Sequence, residues 1–164
     1  MRKPMFLILF LVILCGGVHG MIRSLSLEEL VAGSDLIVIA SLKSSEEKGK
    51  TPDGLPQIEN ILTVATVLKG VANASSELKV STIGGFEDEV AFSPRQKGIL
   101  FLKKAAAGGY EVNNLVQGWW PLGAGDAPTG MGTGISVEKL KGTIKAVAEG
   151  KVSPTSAAPS SDQL

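Results

Sequence analysis

Cysteine and histidine occur once each in this 164-residue chain, as Cys15 and His19. Both lie in a leading stretch that carries a different message. Arg2 and Lys3 form a basic start, and residues 5–14 are an unbroken apolar run. A bilayer-spanning helix needs about 20 such residues. The shorter run fits the apolar core of a signal peptide. Val18 and Gly20 stand at the third and first positions before Met21, an acceptable cleavage site. Residues 1–20 are therefore expected to be a signal peptide. The mature protein is expected in the periplasm or outside the cell, with no stable membrane span after cleavage. The alternative is a lipid anchor through Cys15, although a lipobox wants a small residue where Leu14 stands.

Without residues 1–20 the chain has neither thiol nor imidazole. That excludes disulfides, zinc sites built from Cys and His, the Ser-His-Asp triad and the Cys nucleophile. General acid–base work would fall to carboxylates, Lys or Tyr. No catalytic residue, cofactor or metal is expected, and the chain reads as a non-enzyme. An excess of one charge is also missing: 16 Lys and Arg face 16 Asp and Glu. The basic residues are scattered, so no footprint for nucleic acid emerges.

Aromatic residues are scarce as well, and both tryptophans sit side by side in Val116-Gln-Gly-Trp-Trp-Pro-Leu-Gly123. The rest of the chain is rich in strand patterns. Ser26-Leu-Glu-Glu29 is a capping box that starts a short helix, with Leu25 and Leu30 as its staple and Gly33 as its stop. The helix is expected to plug one end of the strand assembly. Residues 35–42 form an apolar, β-branched strand. Residues 44–57 read as a polar loop with Gly49, Pro52, Gly54 and Pro56. Further strands are expected over residues 58–68, 78–83, 98–103 and 110–122. A Gly-rich connector spans 123–134. Ser136 then caps a second helix, with Leu140, Ile144 and Val147 on one stripe and Gly150 at its end. Residues 151–164 have little to bury and are expected to be a disordered tail. Residues 21–150 thus make one mainly β domain: a five-stranded, mainly antiparallel barrel with a helix at each end of the chain. Closing the sheet removes its reactive edges. The oligonucleotide/oligosaccharide-binding (OB) type is the nearest architecture.

The series Ser26-Leu-Glu-Glu-Leu30, Ser34-Asp-Leu-Ile-Val-Ile39, Thr66-Val-Leu-Lys-Gly70, Leu100-Phe-Leu102 and Gln117-Gly118 resembles a family of small exported bacterial proteins. These look like an OB-like barrel, distantly similar to the netrin-like domain of tissue inhibitors of metalloproteinases. The resemblance implies a fold and an exported location rather than a reaction. The chain departs from the family pattern in two places. Gln96-Lys97 precede Gly98 where a Gly-Glu turn is usual, and Trp119-Trp120 stand where a basic residue and Phe are usual. Those inhibitors present an N-terminal Cys to zinc, which the chain after Gly20 lacks.

Strand alternation through residues 110–122 assigns faces to the tryptophans. Val112, Val116, Trp120 and Leu122 fall on one side and are expected inside the barrel. Trp119 falls with Glu111, Asn113, Leu115 and Gln117 and is expected to be at least partly exposed. Trp119 and Gln117 are then the candidate binding residues, suited to stacking on a sugar or anchoring a protein. Packing of Trp119 under the Gly-rich segment or the second helix is the competing structural role. Gly130-Met-Gly-Thr-Gly134 fits neither nucleotide-binding loop and reads as a connector. Glu87, Asp88, Glu89 and Asp126 match no calcium loop. Asn73-Ala-Ser75 is a glycosylation sequon that matters only in a eukaryotic secretory pathway. The expected function is binding or structure in the cell envelope, with an unidentified protein or glycan as partner. A modulator or inhibitor of a secreted protein and a carboxylate-based hydrolase remain as alternatives.

Overall fold

The structure, a computed structural model, describes residues 23–153. The segment expected to be a signal peptide, together with residues 21 and 22, and most of the expected tail, from residue 154, lie outside the described residues.

The capping box forms as its sequence requires. Ser26 Oγ accepts from the amide of Glu29 at 3.1 Å, and Glu29 Oε2 accepts from the amide of Ser26 at 2.8 Å. These bonds satisfy two of the orphan amides at the start of helix α1 (Leu27–Ala32). The six-residue helix has no basic residue in its last turn. Lys69 supplies the cation from elsewhere. Its Nζ donates to the carbonyls of Val31 at 2.7 Å and Ser34 at 2.6 Å. Burial pushes the Lys69 ammonium below its usual range, while nearby Asp35 opposes the shift.

Six strands come after it: β1 (Leu36–Lys50), β2 (Pro56–Lys69), β3 (Glu77–Ile83), β4 (Lys97–Lys104), β5 (Tyr110–Val112) and β6 (Trp119–Pro121). They pair in the order β1-β2-β3-β5-β4-β6, and β4 returns to pair with β1. The result is a closed five-strand barrel, with β6 continuing the place of β5 beside β4. Every pairing is antiparallel except β3 with β5.

Alternation sorts the buried parts of β1 and β4 cleanly. Leu36, Val38 and Ala40 of β1 and Leu100 and Leu102 of β4 point inward, against Leu62, Val64, Leu78 and Val80. Ile37, Ile39, Ile99 and Phe101 point outward and are covered by Leu30 and Val31 of α1 and Leu140 of α2 (Val137–Ala148). Burial on both faces explains why these strands are apolar without interruption. It also corrects the place of α1. The helix packs on the outer wall beside α2 instead of plugging the barrel, because its apolar stripe meets Ile37 and Phe101. Helix α2 starts at Ser136, whose Oγ accepts from Lys139 N at 3.1 Å. It ends in a Schellman turn, with Gly150 at φ 65° and Lys151 N donating to Ala146 O at 3.0 Å.

The polar segment 44–57 is not a loop. β1 runs on to Lys50 and pairs with β2 down to Lys50↔Pro56, leaving only residues 51–55 as the connection. β4 covers β1 only from Leu36 to Ser41. Beyond Ser41 the strand is a sheet edge in water. Edge strands carry Lys and Glu to discourage pairing with other chains. The polarity of Lys43, Glu46, Glu47 and Lys48 marks that edge. Asn60 fastens this end of the barrel: Ser45 Oγ donates to its Oδ1 at 2.8 Å, and its Nδ2 donates to Thr82 Oγ1 at 3.0 Å.

Candidate functional site

The expected fifth strand over 110–122 is broken in the middle. β5 and β6 are separated by a 3-10 turn, Leu115–Gly118. Asn114 and Leu115 take left-handed φ values of 57° and 51°. The turn closes tightly: a Cβ on Gly118 would lie 2.1 Å from the carbonyl oxygen of Asn113. Leu102 pairs with Val112, and Leu100 pairs with Trp119. β4 advances two residues between these pairs, while the opposing chain advances seven. The five extra residues are an odd number, so the side chains after the bulge change faces.

Both tryptophans move as a consequence. Trp119 enters the barrel and is 5% exposed, which corrects its expected place on the surface. Its ring meets Phe92 edge-on with centroids 4.9 Å apart. Gly98 makes room for it: a Cβ there would lie 2.2 Å from two atoms of the six-membered ring. Trp120, expected inside the barrel, lies instead on the outer wall at 2% exposure. It packs on Phe101 at 4.7 Å and donates from Nε1 to Gln117 O at 2.9 Å. The Gly-rich segment covers it, and a Cβ on Gly132 would come within 2.5 Å of the indole. That segment is a fitted cover over Trp120.

Gln117 is also enclosed, with 8% of its surface exposed. Its carboxamide grips the backbone of Leu25 from both sides. Leu25 N donates to Oε1 at 3.0 Å, and Nε2 donates to Leu25 O at 2.6 Å. Asn114 Nδ2 donates to the same Oε1 and to Arg23 O. Buried Asn113 donates to Leu30 O at 3.2 Å and Ser34 Oγ at 3.0 Å. The bulge is thus the anchor of the chain entering α1. Gln117→Ala should lower unfolding free energy by about 1–3 kcal/mol, since it strands part-buried backbone groups. Urea melts check this; an unchanged midpoint would contradict the anchor role.

The surface offers a different place. A groove of about 410 Å³ lies across β2, β3 and β5. Its lining comes from both faces of the wall: Glu59, Ser81 and Glu111 from the outer face, and Ile58, Thr82 and Val112 from the inner. The reason is the β3–β5 seam. Only Val80↔Tyr110 and Ser81↔Glu111 pair there, in parallel, whereas β2 and β3 pair over seven residues. Past Ser81 the strands separate, and Val90 and Leu115 become part of the lining. Ile83 is 40% exposed at the rim.

Charges around the groove are unevenly matched. Glu59 binds Lys79 at 2.5 Å and stands 4.0 Å from Lys48, which binds Glu46 at 2.5 Å. The hydrogen bond from Lys79 holds the Glu59 carboxyl below the usual range. The bond to Glu46, helped by the charge of Glu59, holds Lys48 above its own. These four charges offset one another. Glu111 is exposed and has no ion-pair partner among the described residues.

The other carboxylates do not assemble. Glu89 accepts from the amide of Gly85, and Asp126 accepts from Lys97 at 3.0 Å. Among the described residues no group of three His, Cys, Asp or Glu side chains is placed to hold a metal. Asn73 and Ser75 of the sequon are exposed in the turn before β3. No family model matches the chain, and no curated protein matches it.

Proposed function

We propose that the protein is an exported, non-catalytic binding protein of the cell envelope, built on an OB-like barrel. Its ligand site is the groove at the β3–β5 seam, and the tryptophan pair is structural. The observation that carries this reading is the seam itself. Two strand pairs close the wall there, and a cavity of about 410 Å³ exposes part of the barrel's apolar interior beside polar rims. Small-molecule sites commonly measure about 300–1,000 Å³ and combine an apolar lining with a few polar groups. The absence of Cys and His after residue 20 supports binding over the commonest forms of catalysis. Among the described residues no helix is long and apolar enough to cross a membrane.

Ser81→Trp tests the reading, because residue 81 is exposed and its side chain would fill the groove without entering the core. Small molecules of a cell-envelope extract are passed over immobilised protein, and retained compounds are identified by mass spectrometry. A compound held by the parent chain should be lost from Ser81→Trp, with the thermal midpoint unchanged. Equal retention by both chains, or retention by neither, would count against the groove.

A further inference from the structure

We infer that the groove takes a small amphipathic cation: an apolar body carrying one positive charge. The inference rests on the groove's being the ligand site and goes on to name the ligand's chemistry. Ile58, Ile83, Val90, Val112 and Leu115 offer the body an apolar bed at the opening of the seam. The charge preference comes from what is left over once local pairs are matched. Lys48 is held by Glu46 and Glu59, and Glu59 is also held by Lys79. A negatively charged ligand would meet ammonium groups whose charge is already shared with carboxylates. Glu111 lies in the lining with no such partner, although Lys103 stands opposite it in the β4–β5 ladder. A positive head group placed there gains a charge contact and displaces nothing. A carboxylate head group in the same place meets a like charge beside a low-dielectric bed, where repulsion is screened less than in open water.

The long edge of β1 beyond Ser41 is a weaker candidate for recognition. Its Lys and Glu side chains oppose strand addition, and Lys43 is already tied to Glu77. The buried Oδ1 of Asn113 lacks a protein hydrogen bond, but the residue is enclosed against α1 and is not part of the groove lining.

Three eight-carbon probes of nearly equal size separate the contributions of charge and apolar body: octylammonium, octanol and octanoate. Each is titrated into the protein as recovered from cells, and backbone amide shifts of Thr82, Ile83, Glu111 and Val112 report occupancy. Octylammonium should bind about tenfold more tightly than octanoate, with octanol between them. Glu111→Gln should shrink that ratio to about twofold or less while octanol binding stays the same. Equal affinities for the three probes, with the groove amides still shifting, would overturn the cation preference and leave the groove as a ligand site. If none of the three moves those amides, the groove reading fails together with the inference. A preference for octylammonium that survives Glu111→Gln would overturn the role of Glu111.

Discussion

Trp119→Ala should lower the unfolding free energy by about 3–5 kcal/mol, the range for a buried aromatic cut to Ala. The upper part of that range is expected, because the neighbouring strand cannot fill the cavity. Gly98 lies against the ring and has no side chain to move into the space. Phe92, in edge contact, loses its partner as well. A domain of this size has about 5–15 kcal/mol in total, so the variant should melt far below the parent. Trp120→Ala should cost a similar amount for a different reason. It empties the outer layer under α2 and removes the donor to Gln117 O. Urea melts of the two variants measure both. A loss under about 1 kcal/mol at Trp119 would mean that its ring is not enclosed.

Gly98→Ala should be nearly as damaging, although it adds one methyl group. That group would lie 2.2 Å from Trp119 Cη2 and Cζ3 and 2.8 Å from the carbonyl oxygen of Trp120. The ring atoms belong to a rigid indole wedged in the barrel, and the oxygen is backbone. Neither can yield by a simple rotamer change. Overpacking of a filled core costs about 1–3 kcal/mol, and occasionally more. The expected loss is about 3 kcal/mol, with an unchanged urea slope, because the unfolded chain exposes nearly the same surface. A loss under about 0.5 kcal/mol, the size of an ordinary surface substitution, would show that the ring lies elsewhere.

Local chemistry was readable in the sequence wherever a pattern is closed within a few residues. The Ser26–Glu29 box, the Ser136 cap, the α2 stripe and the Gly150 stop all depend on neighbours at fixed spacing. The strands over Leu36–Lys50 and Lys97–Lys104 were legible at their apolar cores, since burial on both faces leaves continuous hydrophobic runs. The polar half of β1 was not, because an exposed edge strand and a loop share the same composition. The tryptophan faces failed for a sharper reason. Alternation carries information only while the register holds, and five extra residues between Val112 and Trp119 reverse it. Asn114 and Gly118 are turn formers that could have flagged the break, but nothing local gives the parity of the insertion. The groove was invisible for the same kind of reason. Ile58, Thr82 and Glu111 meet only through pairings of distant strands, and the shortness of the β3–β5 ladder is a property of the closed barrel.

The inverted faces are tested most directly by a double-mutant cycle between Gly98→Ala and Trp119→Ala, read from urea melts. With Trp119 inside the barrel over Gly98, losing the indole removes the two contacts at 2.2 Å and leaves the methyl group only its contact with the backbone oxygen of Trp120. The double variant should then be more stable than the sum of the two losses implies, by about 2 kcal/mol, a coupling typical of residues in direct contact. Losses that add to within about 0.5 kcal/mol would place the two residues apart and contradict the bulge that carries Trp119 into the core.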